Sequence, residues 1–121
     1  MQTHTGRQSA LAAVIRQEQR IFATKLRATR AVLGWSQTDL AAHVGMTQRA
    51  IHKLEQGETE PRRATILAMA EVWRDQGLVF EDMPGGAFRL TVPVSVVEPG
   101  ERRQGGRDHD VHTMPAPVYR A

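Results

Sequence analysis

The segment GMTQRAIHKLEQG, residues 45–57, carries polar side chains whose types and spacing suit contact with nucleic acid bases. In a helix bounded by its two glycines, Ile51 and Leu54 face inward while a polar set faces outward: Gln48, Arg49, His52 and Lys53. Arginine can form two hydrogen bonds with guanine in the DNA major groove, and glutamine can form two with adenine. We therefore predict that this set contacts bases, with Lys53 reaching a further base or a phosphate and His52 either a contact or a surface residue.

Capping signals place this helix and the helix before it. Residues 36–39, SQTD, have the form of a capping box, in which the serine hydroxyl and the aspartate carboxylate each accept a hydrogen bond from the other residue's amide. We expect the first helix to start at this box and to end at Gly45, and we expect Thr47 to cap a second helix that ends at Gly57. Only Gly45 and Met46 separate the two helices, and a connection this short is typical of a helix-turn-helix.

Two further helical segments flank this pair. Apolar residues recur at helical spacing from Ser9 to Leu33, which indicates one long helix or two in succession. Pro61 marks the start of another helix, whose apolar stripe includes Ile66 and which breaks at Gly77.

The chain changes character after residue 77. Residues 78–80 resemble a short strand and 83–86 a turn, and residues 88–97 alternate apolar and polar side chains as in a β-hairpin or extended arm. The apolar face of this arm is predicted to consist of Phe88, Leu90, Val92, Val94 and Val96. From residue 98 onward the sequence is rich in Gly, Pro and charge, so we expect disorder there.

The longest informative stretch is residues 26–80, which contains the pattern LGWSQTDLA…G…I..LE.G…P. This pattern resembles the Xre family of helix-turn-helix proteins, which includes Cro and the lambdoid phage repressors. The resemblance implies a mainly α fold, a compact bundle of about five short helices, here with strands in place of the fifth. The expected organisation is a helical extension (1–20), a helix-turn-helix DNA-binding domain (21–77), a β arm (78–97) and a disordered tail (98–121).

Several predicted roles concern residues around the helix pair. The resemblance implies that Gln37 contacts the DNA backbone and braces Gln48, and that Arg30 and Glu55 form a structural ion pair. Free amides at a helix start favour a phosphate, and arginines placed after Pro61 can hold backbone across the groove. The predicted phosphate contacts are therefore Ser36, Gln37, Thr47, Arg62 and Arg63.

Composition and the remaining motifs narrow the class of protein. Residues 1–76 hold eleven Lys or Arg against seven Asp or Glu, so the basic excess coincides with the helix pair. The chain has no cysteine, glycine-rich phosphate loop or HExxH motif, which argues against thiolate metal sites and catalysis. We expect no cofactor and no metal, since a cluster in the tail is weak evidence on its own: Asp108, His109, Asp110 and His112. His43 is interpreted as structural.

These patterns favour a cytoplasmic regulator without a membrane segment that binds double-stranded DNA in a sequence-specific way. We expect a homodimer that represses from a palindromic operator, joined by the 88–97 arm, by the helix spanning residues 9–22, or by both. The rival hypothesis is an antitoxin or adaptor with a helix-turn-helix domain, whose C-terminal arm binds a partner protein.

Overall fold

The computed structural model describes residues 2–98, with side chains from residue 8 onward. The predicted tail and its Asp/His cluster lie outside these residues, apart from Glu98. The predicted fold class is confirmed: the described residues form five α-helices and a two-stranded antiparallel hairpin. These are α1 (Gln2–Leu33), α2 (Gln37–Val44), α3 (Gln48–Glu55), α4 (Arg63–Gln76), β1 (Val79–Asp82), β2 (Phe88–Thr91) and α5 (Val94–Val97), with a 3₁₀ turn at Pro84–Gly86.

The apolar repeat at the start of the chain forms one continuous helix rather than two. Ala23, Leu26 and Thr29 of α1 are buried at helical spacing and face the rest of the domain. Residues 8–18 are exposed except for a half-buried Ala12. The second half of α1 therefore belongs to the core, whereas its first half carries little contact with the remainder of the chain.

The helix pair has the caps that the sequence predicted. Ser36 Oγ accepts a hydrogen bond from the Asp39 amide at 3.0 Å, and the Asp39 carboxylate accepts one from the Ser36 amide at 2.9 Å. Gly45 ends α2 in the left-handed region at φ 70°. Thr47 then caps α3 by accepting from the Ala50 amide at 3.1 Å. The Ser36 and Thr47 side chains each satisfy one amide in the first turn of their helix, and the left-handed Gly45 lies at the turn between the two helices.

A small apolar core joins α1 through α4. Its buried members are Leu26, Leu40, Ala41, Ile51, Leu54 and Met69, and partly buried side chains surround them: Phe22, Trp35, Val44, Met46 and Trp73. The inward residues of both short helices belong to this core, so packing fixes the orientation of α3. Packing also stabilises α3 as a helix, because an isolated helix of eight residues is marginal in water.

The hairpin packs on this core through aromatic rings. Phe80 pairs with Leu90 across the two strands. The centroid of the Phe80 ring lies 4.7 Å from a ring centroid of Trp73 and 5.6 Å from the ring centroid of Phe88. Lys25 of α1 forms an ion pair with Asp82 of β1 at 2.8 Å. The hairpin is thus attached to α1 and α4 of its own chain.

The prediction of one alternating strand over residues 88–97 was wrong beyond Thr91. Pro93 has no amide hydrogen to donate to a strand partner, and its carbonyl accepts from the amides of Val96 and Val97 at 2.9 and 3.2 Å. The chain therefore turns into the single helical turn α5. As a result, Val94 is 69% exposed while Val96 is only 7% exposed, so the predicted apolar face does not exist as a unit.

Two details of the following helix were also mispredicted. Pro61 does not open α4, which begins at Arg63 with Arg62 as its extended N-cap residue. Ile66 is 44% exposed and does not join the core, because the buried side of α4 is formed by Thr65, Met69 and Val72. No helix among residues 2–98 is long and apolar enough to cross a membrane.

Candidate nucleic-acid interface

The outer surface of α3 carries the four predicted base-contacting side chains. Gln48, Arg49, His52 and Lys53 are all exposed. On the opposite side, Ile51 is fully buried and Leu54 is 5% exposed. The helix therefore presents a polar surface to solvent while its apolar side holds it to the core, as the sequence predicted.

A buried carboxylate lies at the centre of the contacts that hold α3. Glu55 is 6% exposed and accepts hydrogen bonds from Arg30 Nε at 2.7 Å and Arg30 Nη2 at 2.8 Å. Gln37 Nε2 donates to the same carboxylate at 3.0 Å. The ion pair implied by the family resemblance is thus present, and it ties α1 to the end of α3.

The pKa of Glu55 reflects two opposing effects. Burial raises the pKa, but the hydrogen bonds from Arg30 and Gln37, together with the positive charges of Arg30 and Arg27, outweigh it and leave the pKa below its ordinary value. The hydrogen bond to Glu55 in turn raises the pKa of Arg30. Glu55 is therefore ionised at neutral pH.

The network continues from the buried carboxylate to the exposed surface of α3. Gln48 Nε2 donates to Gln37 Oε1 at 2.6 Å, and the other end of the Gln37 amide donates to Glu55. This arrangement fixes which atom Gln37 presents to Gln48, because the carboxylate can only accept. The Gln48 side chain is therefore held at the start of α3 before any ligand arrives.

Arg27 is a member of this network that the sequence did not point to. Its Nη1 donates to the backbone carbonyl of Glu55, at the C-terminal end of α3, where a cation is favoured by the helix dipole. The available signal was its position one turn before Arg30 on the same helix. Its importance depends on where α3 crosses α1, which only the tertiary structure shows.

The predicted phosphate contacts occupy helix starts. Ser36 and Thr47 are the N-cap residues of α2 and α3, and Gln37 is half-buried beside Ser36. Arg62 and Arg63 are exposed at the start of α4. The structure also brings Lys53 and Arg62 to the rim of one groove of about 480 Å³, whose apolar lining includes Val44, Met46, Leu54 and Pro61.

Four basic side chains on this surface have no acidic partner among the described residues. Within residues 8–98, no acidic side chain pairs with Arg49, Lys53, Arg62 or Arg63. Elsewhere some basic side chains are paired, with Lys25 bound to Asp82 and Arg74 to Glu71, although the ion pairs of the described residues include neither Arg16 nor Arg20. The unpaired cations of this surface remain available to phosphates and base edges.

The two histidines near this surface have local partners. His43 stacks on Trp35 with ring centroids 4.0 Å apart, and its Nδ1 lies 2.9 Å from the Asp39 carbonyl oxygen. His43 therefore has the structural role that we predicted. The Nε2 atom of His52 lies 3.2 Å from Nε2 of Gln56 one turn later.

Residues 21–74 match a protein-family model described as a helix-turn-helix domain. The matched residues run from the middle of α1 to the last turn of α4 and include every member of the Glu55 network. This part of the chain is therefore similar to helix-turn-helix domains, a class of module that typically binds DNA. No curated protein and no solved structure gave a significant match to the chain.

Proposed function

We propose that the protein is a cytoplasmic, sequence-specific transcription regulator of the Xre type, which represses from a palindromic operator as a homodimer. The observation that carries this proposal is the braced Gln48 beside the unpaired Arg49 at the start of an exposed, well-anchored helix. The second helix of a helix-turn-helix lies in the major groove, and residues at its N-terminal end contact base edges.

The proposed readout assigns a separate task to each side chain of α3. Arg49 binds guanine O6 and N7, and Gln48 binds adenine N6 and N7, each pair contributing about 1–3 kcal/mol of discrimination. The hydrogen bond to Gln37 already orders the Gln48 side chain, so Gln48 loses less conformational entropy when it binds a base. Lys53, one turn later, reaches a further base or a phosphate, and His52 borders the same groove.

Phosphate contacts on both sides of the groove set the position of α3. The free amides at the starts of α2 and α3, with the side chains of Ser36, Gln37 and Thr47, hold one backbone segment. Arg62 and Arg63 hold the other. These contacts supply affinity without sequence preference, so their loss should affect all DNA sequences alike.

A homodimer is proposed because one α3 reads only a few base pairs. A genome offers on the order of a million or more competing sites, and so short a sequence recurs too often to define an operator. A two-fold dimer places two recognition helices about 34 Å apart, on successive turns of the same face of DNA.

The test compares two arginines of equal charge. Arg49→Ala should weaken binding to a selected operator by roughly 5- to 150-fold and relax preference at one base pair. Arg63→Ala should instead weaken binding to every sequence and reduce the dependence of log affinity on log salt by about one unit. Selection from random DNA followed by salt titration measures both. An unchanged consensus and affinity for Arg49→Ala would show that α3 is not the recognition helix.

One observation favours the second candidate function, an antitoxin or adaptor whose C-terminal arm binds a partner protein. Val94 and Val97 of α5 are 69% and 63% exposed, and Val79 of β1 is 50% exposed. Replacement of Val94 and Val97 by Asp should then abolish co-purification of a partner while leaving the helix-turn-helix folded. Specific DNA binding with no co-purifying partner would favour the simple repressor.

A further inference from the structure

One side of α1 carries three arginines and no acidic residue. Arg16, Arg20 and Arg27 are exposed and follow the i, i+4, i+11 spacing that places them along one side of a helix. The other positions on this side are uncharged: Ser9, Ala13, Thr24 and Ala31. At 3.6 residues per turn, Glu18 and Lys25 lie about 160° and 140° around the helix from Arg20. The three arginines thus form a basic stripe along α1.

This basic stripe adjoins the C-terminal end of α3. Gly57 follows α3 with φ at +76°, and a Cβ added there would lie 3.3 Å from Arg20 Cγ and 3.5 Å from Arg20 Cα. Arg27 Nη1 donates to the Glu55 carbonyl, and Arg27 Nη2 donates to Thr24 Oγ1 at 3.2 Å. The basic stripe therefore extends the surface of the helix-turn-helix from the end of α3 along α1.

The charges of the basic stripe are not neutralised by acidic side chains. Within residues 8–98, neither Arg16 nor Arg20 takes part in an ion pair or a side-chain hydrogen bond, and the hydrogen-bond acceptors of Arg27 are neutral oxygens. The loop after α3 adds two exposed acids, Glu58 and Glu60. Glu60 lines a groove beside Val14 and Ile15, on a different side of α1, so the arginines remain in excess.

The position of the basic stripe relative to Arg49 suits contact with the DNA backbone. Gly57 comes eight residues after Arg49, which corresponds to about 12 Å along α3. The major groove is about 12 Å wide, and phosphates form its two rims. When Arg49 reaches the base edges, the other end of α3 and the arginines beside it therefore lie against a rim of the groove.

We propose that Arg16 and Arg20 bind phosphates of the DNA duplex that α3 reads, in addition to the contacts assigned above to α2, α3 and α4. Both residues precede the segment 21–74 that matches the helix-turn-helix model, so this contact lies in the helical extension. The inference rests on the proposed function in requiring that α3 enters the major groove.

Arginine is suited to this contact because its guanidinium can donate two parallel hydrogen bonds to one phosphate. Four residues separate Arg16 from Arg20, a rise of about 6 Å along α1, so each side chain can reach a different phosphate. The Arg27 guanidinium is held at the end of α3 by the Glu55 carbonyl, where it adds positive potential next to Arg20.

The experiment measures the affinity of the full chain for a duplex of random sequence by fluorescence anisotropy over a range of salt concentrations. Each phosphate contact accounts for about 0.9 in the slope of log affinity against log salt. Arg16→Gln/Arg20→Gln should therefore make the slope shallower by about 1.8 and lower the affinity at 0.1 M salt by up to roughly sixtyfold. Arg16→Lys/Arg20→Lys should retain most of the slope, because lysine also binds phosphate.

Arg74→Gln/Arg89→Gln is the matched control, because it removes the same charge from exposed arginines in the last turn of α4 and in β2. This control should keep the wild-type slope. Helical circular dichroism should be the same for all variants, since each replaced side chain is exposed.

Three results would overturn the inference. The first is an unchanged slope for Arg16→Gln/Arg20→Gln, and the second is an equal decrease in the control, which would reflect net charge alone. The third is unchanged DNA affinity with lost binding to vesicles of anionic phospholipid, which would assign the basic stripe to a membrane surface.

The proposed function can fail independently of this contact. A slope change of the expected size, in a protein for which selection from random DNA yields no consensus, would support the phosphate contacts and overturn sequence-specific regulation. A clear consensus with an unchanged slope would do the reverse.

Discussion

Replacement of Glu55 by Gln tests whether the buried network anchors α3. Glutamine has nearly the same shape, so packing is kept while the negative charge is lost. Arg30 Nε donates to one carboxylate oxygen, whereas Arg30 Nη2 and Gln37 Nε2 donate to the other, so either orientation of the new amide turns its NH2 group toward a donor of Arg30. Hydrogen bonds to charged groups contribute about 1.5–3 kcal/mol each, and an unpaired buried group costs about 1–3 kcal/mol.

The expected loss in the free energy of unfolding is about 2–4 kcal/mol, less than the full cost of breaking a buried ion pair, because the Arg30 side chain is 24% exposed and can reach water. Urea unfolding, followed by the fluorescence of Trp35 and Trp73, measures this loss. Glu81→Gln is the matched control, since its carboxylate is 3.8 Å from Arg89 in an exposed pair. The control should lose no more than about 0.5 kcal/mol.

Acidification provides an independent check on the same carboxylate. Because the pKa of Glu55 is lower in the folded protein, its contribution to stability is complete above the ordinary glutamate pKa of about 4.3 and disappears as the pH falls through the folded value. The stability difference between wild type and Glu55→Gln should therefore shrink below about pH 4. Equal losses for Glu55→Gln and Glu81→Gln, or a difference that stays constant down to pH 2, would refute the anchoring role.

Two further predictions concern the end of α4 and the C-terminal residues. Gly77→Ala should destabilise the protein by more than Gly34→Ala. Both glycines have φ above 70°, but a Cβ added at Gly77 would lie 3.0 Å from Pro93 Cγ, whereas one added at Gly34 would have no other group within 4 Å. Placing alanine in the left-handed region costs about 1 kcal/mol in both variants. Equal thermal stabilities of the two variants would therefore contradict the close approach of Pro93 to Gly77. Truncation after Val97 should leave operator affinity nearly unchanged, as measured by fluorescence anisotropy, because the removed residues carry balanced charge. A loss beyond about tenfold would assign the 98–121 segment a contact with DNA or with the second subunit.

The sequence by itself determined the local structure of the helix pair. The capping box at Ser36, the cap at Thr47 and the glycines that follow each helix are short-range signals, because each cap satisfies amides within three residues of itself. The helical spacing of Ile51 and Leu54 also fixed which side of α3 faces solvent. The predicted set of outward residues on α3 could therefore be identified without a structure.

Only the tertiary structure decided which residues meet across elements. Contacts such as Arg27 to the end of α3 depend on where two helices cross, and no local pattern encodes that position. Alternation over residues 88–97 predicted one strand, but the missing amide of Pro93 turned the chain into α5 and divided the valines between core and solvent. Likewise, the exposure of Ile66 follows from the direction in which α4 packs, because a helical apolar stripe wider than the available core must leave one edge uncovered.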